Sequence, residues 1–431
     1  MKTLFFPLIS LVLLITASCS ESVTETVTYK INEPVFMSRD AFRSSVKVSS
    51  TPHEITGYGK ISYYQGYLYM SEPGKGIHII NNTNPAAPKV AGYIELLGNA
   101  DISVRNNVLY ADSYVDLVWF DVSVPSSPVL KGRLQNVFPE AMPMMRNGVG
   151  FDWDMCYGEK KQDGVIVGWK EVERTEDIDD YRGGWFWRWG WMEGDVLATS
   201  KDMASNGSSN GVNGSMSRFT IYLDYLYTVI NNQMTIFNLG KENPEVAADS
   251  IYIGWNVETI FSNKNNMFFG TPTGMLIYSV ENPLKPVFKS SIQHVFGCDP
   301  VVVEDDIAYV TVHSGVNCRT GTTVNDLIII DVKDVTKPKQ IASYAMTEPK
   351  GLGIDNKKLF ICDDGLKIFK ADDPMTIMAN KLAHYKGMAG YDLIPFNNVL
   401  MMIAEEGIYQ YDYSNVNNIR ELSFLPVKKA N

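Results

Sequence analysis

Asp326-Leu327-Ile328-Ile329-Ile330-Asp331 is a run of four apolar residues closed at each end by a carboxylate, and Val332-Lys333-Asp334-Val335-Thr336-Lys337-Pro338 follows it. A short apolar run between turn-forming residues reads as a strand buried on both faces. The same phrase returns as Gly76-Ile77-His78-Ile79-Ile80-Asn81, Asp116-Leu117-Val118-Trp119-Phe120-Asp121, Met234-Thr235-Ile236-Phe237-Asn238 and Met275-Leu276-Ile277-Tyr278-Ser279. Weaker copies stand at 164–169, 366–369 and 408–412. The intervals between the first residues of these eight copies are 40, 48, 70, 41, 51, 40 and 42, so the chain repeats itself about every forty residues.

Each phrase is preceded by a second aromatic and β-branched strand, such as Tyr67-Leu68-Tyr69-Met70 or Ala308-Tyr309-Val310-Thr311. Before that lies a third strand, such as Pro300-Val301-Val302-Val303, across a tight turn such as Arg105-Asn106-Asn107 or Glu304-Asp305-Asp306. A Pro turn after the phrase leads to a fourth strand, as in Pro88-Lys89-Val90-Ala91-Gly92-Tyr93. Four antiparallel strands per forty residues describe a propeller blade. One blade cannot cover both its faces, whereas a closed ring lets each sheet cover its neighbour. The expectation is an all-β propeller over residues 57–426, of about eight blades, or seven if 164–169 is not a true module. The long interval is an interruption at about 176–214. It holds an acidic patch (Glu176, Asp177, Asp179, Asp180), a Trp-rich cluster and a Gly/Ser/Asn tract from Ser205 to Gly214 that reads as partly flexible. Upstream, Ser38 reads as the cap of a short helix.

The chain opens Met1-Lys2, continues with an apolar stretch over 4–15, and reaches Thr16-Ala17-Ser18-Cys19. A positive start, about a dozen apolar residues and small residues before a cut read as a signal peptide, here residues 1–18, and not as a spanning helix. Cys directly after small residues resembles the lipobox of bacterial lipoproteins, although Thr16 stands where Leu, Val or Ile is usual. Residues 19–56 then form a polar tether and a short N-terminal segment, and acyl chains on Cys19 would hold the protein at a membrane. The expected address is the cell envelope, as an outer-membrane lipoprotein facing the periplasm or the outside.

The DLIIID and DLVWFD phrases, with the aromatic strand before and the Pro turn after, resemble the LVIVD repeat of bacterial surface lipoproteins. Longer stretches, at 32–48, 74–82, 109–123, 298–311 and 351–365, are similar to one lipoprotein branch of that family. The resemblance implies a β-propeller and brings no established reaction with it.

The chain of 431 residues carries 38 Lys and Arg against 49 Asp and Glu, a net charge of −11. That balance opposes nucleic-acid binding, which needs clustered cations. With 45% hydrophobic and 20% charged residues the chain is also too apolar for disorder. Cys298 and Cys318 flank one strand hairpin, and an exported protein can pair them. Closing that loop restricts the unfolded chain by roughly 3 kcal/mol in the entropy model. Cys362 sits in the apolar strand Leu359-Phe360-Ile361-Cys362 and reads as a buried small residue.

No catalytic motif is present. His53, His78, His294, His313 and His384 show no metal spacing, and neither a nucleophile elbow nor a phosphate loop occurs. Asp101, Asp112, Asp116, Asp152, Asp154, Asp299 and Asp355 recur at strand junctions. There they could line a channel and hold calcium, or fix turns by accepting backbone N–H bonds; the second reading is the stronger, and no cofactor is expected. The candidate binding residues are Trp185, Trp187, Arg188, Trp189 and Trp191. Four Trp in seven residues suit a glycan or a protein partner, although packing as a buried flap is the modestly stronger reading. The expected function is a lipid-anchored, non-enzymatic platform for protein or glycan partners. An exported propeller hydrolase or lyase acting on polysaccharide is the alternative.

Overall fold

A computed structural model describes residues 25–145, 149–177, 211–230, 232–254, 257–293, 300–313 and 324–428, with the backbone of 189–190. The protein is all-β and propeller-like. Among the described residues, seven sheets share one plan, at 61–95, 102–134, 219–252, 259–293, 301–345, 352–385 and 390–426. In each, four consecutive strands lie side by side in chain order and every pair is antiparallel. The first sheet gains Lys47–Ser49 on its outer edge and Val212–Asn213 on its inner edge. The first strand of each sheet touches the first strand of the next, and Gly390–Phe396 touches Ile61–Tyr64, so the innermost strands close a ring.

Burial follows this geometry. In Asp326–Asp331 the four central residues are buried and the two carboxylates half-buried, whereas the outer strand Glu245–Tyr252 is largely exposed. Apolar cores lie between successive sheets, as where Val301, Val303, Val310 and Ile329 meet Leu352, Ile354 and Ile361.

The closing Asp or Asn of the phrase has a local task. The Asp331 carboxylate accepts the Lys333 N–H at 2.9 Å, as Asp121 accepts Ser123, Asp412 accepts Ser414 and Asn81 accepts Thr83. A second such turn follows three residues on, where Asp334 accepts Thr336 and Asn84 accepts Ala86. Between the two, the Val332 N–H reaches back to the Asp306 carbonyl at 2.9 Å. All seven sheets repeat that bond, from Asn82, Val122, Leu239, Val280, Val332, Ala371 and Tyr413. The repeat is therefore a turn device attached to a buried strand.

The phrase at 164–169 does not join this plan. It opens the strand Val165–Asp177, which pairs antiparallel along Thr26–Met37 in a separate sheet with Phe151–Asp152 and Trp189–Gly190. Between the second and third sheets, the described residues 135–145 and 149–177 thus lie outside the seven sheets. The helix Arg39–Ser44, capped by Ser38 Oγ, fixes the N-terminal segment to the second sheet. Its Phe42 is buried under the Arg133 guanidinium and beside Tyr114, and Arg43 pairs with Asp116 at 3.0 Å. Among the described residues no helix is long and apolar enough to cross a membrane.

Candidate functional site

A propeller binds or reacts most often at its axis, where loops and first strands from every sheet converge. Here the chain itself occupies that place. Every residue from 211 to 218 is buried. Gly211 N–H bonds the Val104 carbonyl at 2.6 Å, Val212 and Asn213 pair with Tyr63 and Ser62, and Gly214 N–H bonds Ile61 at 2.9 Å. Ser215 Oγ donates to Asp392 at 2.8 Å and accepts the Leu352 N–H at 2.8 Å. Ser217 Oγ donates to Asp101, Arg218 N–H bonds the same carboxylate at 2.7 Å, and the Ser217 carbonyl accepts Ile260 N–H at 3.1 Å. The segment thus bonds the first strands of the first, second, fourth, sixth and seventh sheets.

The Gly/Ser/Asn tract read as partly flexible therefore ends inside the ring. Small residues are needed there for space. A Cβ on Gly214 would lie 2.1 Å from Asp392 Oδ2 and 2.8 Å from Ile61.

Two carboxylates grip this plug from equivalent places. Asp101 directly precedes the innermost strand of the second sheet and Asp392 lies in that of the seventh, and each accepts the next residue's N–H, from Ile102 at 3.0 Å and from Leu393 at 2.8 Å. Their surroundings differ in charge. Asp101 is paired with the buried Lys60 at 2.9 Å, whereas hydroxyl and N–H groups bond Asp392. Burial disfavours an ion without a partner charge, and it pushes the Asp392 carboxyl up to about 7 against the hydrogen bonds of Ser215, Leu393 and Met216. Burial likewise raises Asp112 to about 6, against the Ala100 and Asp101 N–H groups that it accepts. Burial lowers the Lys60 ammonium, with Asp101 opposing.

The other junction carboxylates that the structure describes are also engaged. Asp116 takes Arg43, Arg133 and the Asn136 N–H, and Asp152 caps the helix Trp153–Cys156 and pairs with Arg174. Asp154 accepts the Glu159 N–H and Asp355 accepts the Tyr413 hydroxyl. Asp116, Asp152 and Asp154 accept backbone N–H groups, Asp116 and Asp152 also pair with arginines, and among the described residues no group of three or more metal-ligating side chains forms.

His78 donates or accepts through Nε2 at 2.8 Å from Glu72, both side chains being buried. Burial alone would raise Glu72; hydrogen bonds from His78, Lys75 and Thr56 outweigh it and hold the carboxyl at about 2. A cleft of about 370 Å³ between the second and third sheets is lined by Arg105, Tyr110, Trp119, Lys131 and Lys241. Tyr110 and Trp119 are only 5% and 6% exposed, too little to stack a sugar ring.

Cys19, Cys298, Cys318, Trp185, Trp187, Arg188 and Trp191 lie outside the described residues, as do Asp299 and His294. Of Trp189 only the backbone is described, in the short strand beside Phe151–Asp152. Cys362 is a buried free thiol, as its apolar strand implies, and Cys156 is another. The axial residues that sequence reasoning missed are Lys60, Ser215, Ser217 and Asp392. Lys60, a lone charge opening an apolar strand, was the signal available.

No family model and no curated protein matches the chain. Among solved structures it is similar to the computationally designed Ika8 protein, at 8% identity over 86% of this chain and 88% of that one, with a TM-score of 0.48. Hsv2p of Kluyveromyces lactis matches at 10% identity over 87% and 99%, with a TM-score of 0.46. A candidate 6-phosphogluconolactonase of Bacteroides fragilis matches at 11% identity over 86% and 96%, with a TM-score of 0.48.

Proposed function

We propose that this chain is a seven-bladed propeller, held on the cell envelope by lipid at Cys19, that serves as a binding platform for a protein or glycan rather than as an enzyme. Seven sheets of one plan support the blade number, because the eighth phrase pairs with the N-terminal strand instead. The observation that carries the functional reading is the filled axis. The carboxylates that a channel hydrolase would aim at substrate are spent on the chain's own Ser215, Ser217 and Arg218. Rigid sheets with a closed hub suit recognition, since contacts then form with little loss of ordering entropy. In this reading the Trp-rich stretch around Trp187 supplies the contact, and Cys298 pairs with Cys318.

Cross-linking and pull-down from intact cells, run beside a glycan array, tests the platform. Trp187→Ala with Trp189→Ala should abolish the captured partner or glycan while the fold persists. Unchanged capture, or polysaccharide cleavage by the purified protein that survives this double substitution, would overturn it. Fatty-acid labelling that persists in Cys19→Ser would remove the anchor.

A further inference from the structure

The two carboxylates that hold the plug occupy equivalent positions but are not equivalent chemically. Asp101 holds Ser217 and Arg218 as half of a buried ion pair with Lys60. Asp392 holds Ser215 at 0% exposure, and no lysine or arginine bonds it among the described residues. A carboxylate so placed is stable as the neutral acid and costly as the anion.

We propose that residues 215–218 form a two-point latch on the hub, in which the Asp101 point is permanent and the Asp392 point is released when Asp392 ionises. Release would free Ser215 and Met216 from the sixth and seventh sheets, while Gly211–Gly214 stay bonded to the first and second sheets and Lys60 and Asp101 keep the start of the third sheet in place. This goes beyond the platform reading and does not depend on it.

The groups facing Asp392 favour this behaviour. Tyr391 on its own strand lies edge-on to Tyr58 at 5.4 Å, and burial raises its phenol, so it stays neutral. Cys362 of the sixth sheet is held neutral by burial too, with Asp392 adding to the effect and Lys350 opposing it. Asp101 is paired with Lys60 at 2.9 Å, and the Arg218 N–H bonds the Asp101 carboxylate at 2.7 Å. Burial therefore wins over the hydrogen bonds, and the carboxyl sits near 7. In a released state it would return toward 3.8. Each pH unit in that interval then favours release by up to about tenfold. Asp112 titrates nearby, at about 6, but bonds Asn99, Ala100 and Asp101 and not the plug.

Hydrogen exchange of the Ser215 and Met216 amides, which bond Asp392, in the full-length protein, corrected for intrinsic chemistry, reads the latch. Opening should rise at least tenfold between pH 5.5 and pH 7.5, while amides of the outer strands keep their protection. In Asp392→Asn the rise should shrink to less than about twofold, and in Asp112→Asn it should remain. Ser215→Ala keeps the carboxylate but removes a donor to its charged form, so the transition should move to higher pH. If Asp392→Asn fails to fold, Ser215→Ala decides. Opening that is equal at the two pH values in the wild type, or a transition that Ser215→Ala leaves at the same pH, would overturn the proposal.

Discussion

Asn82 Nδ2 donates to Gln410 Oε1 at 2.9 Å and Gln410 Nε2 donates back to Asn82 Oδ1 at 2.7 Å, so a two-bond amide clasp joins the first and seventh sheets. Both residues are buried. Gln410 also reaches Ser423 at 3.3 Å, and Ser423 Oγ donates to the Pro85 carbonyl at 2.6 Å. In the seventh sheet the four strands all come from the C-terminal end of the chain, and no N-terminal strand among the described residues joins it. The seam relies on this clasp, on packing of Ile61 and Met70 against Ile394, Met401 and Ile403, and on the Lys428 N–H to Ile55 carbonyl bond at 2.7 Å.

Removing one half of the clasp leaves the other amide buried without its partner. Asn82→Ala or Gln410→Ala should each cost about 1–3 kcal/mol in chemical denaturation. Replacing both with Leu should cost clearly less than the sum of the two single losses. Additive losses in that double-mutant cycle would mean that the two amides act independently.

Lys60→Met strands Asp101 as an unpaired buried charge. The expected loss is about 3–5 kcal/mol, and Asp101→Asn added to Lys60→Met should recover much of it. Urea unfolding of the three variants at neutral pH measures this. A loss below about 1 kcal/mol for Lys60→Met would show that water reaches the pair.

Global stability should fall as pH rises from about 4 to 7. The folded carboxyls of Asp392 and Asp112 lie at about 7 and 6, whereas both return toward 3.8 on unfolding. Across that window the folded state holds more protons than the unfolded one. Each group therefore weakens the fold by up to roughly 1.4 kcal/mol per pH unit, with no further change above its folded value. Glu72 acts with the opposite sign. Its folded value of about 2 lies below the ordinary 4.5, so its stabilisation is present above pH 4.5 and lost as pH falls through 2. Denaturation midpoints between pH 2 and 8 should show a maximum in the acidic range, and Asp392→Asn should flatten the decline on its alkaline side.

Gly214→Ala should disturb the plug before it disturbs the ring, because the added methyl meets Asp392 and Ile61. Limited proteolysis should cut near 211–218 in this variant and spare that segment in the wild type. A wild-type cleavage pattern at equal stability would show that the hub has room to spare.

Much of the ring was legible because its pattern is enforced many times over. Asp331 and Asp121 each close a buried strand and cap the turn after it, and both needs leave marks in local sequence. The 164–169 phrase shows where such reading stops. Val165 and Ile166 are buried like any core strand, and alternation records burial without naming the partner that provides it. Here the partner is Thr26–Met37, more than a hundred residues upstream. The plug was hidden for a related reason. Gly211, Asn213, Gly214 and Ser215 are small and polar, the composition of a linker, yet they are small because the hub is narrow and polar because Asp392 and Ser103 need donors. Lys60, Asp101 and Asp392 become one site only when the ring closes, and of the three only Lys60, a charge opening an apolar strand, stands out among its sequence neighbours.

The occupied hub also limits how this protein can evolve. Tandem modules usually multiply or vanish by unequal recombination, since any spoke resembles the next. Here the bore is matched to its own strip of backbone. Losing a spoke would squeeze residues 211–217 out, and gaining one would pull Asp101 or Asp392 away from its hydroxyl. The filling thus acts as a gauge that freezes the number of modules, and variation is left to the turns and outer strands.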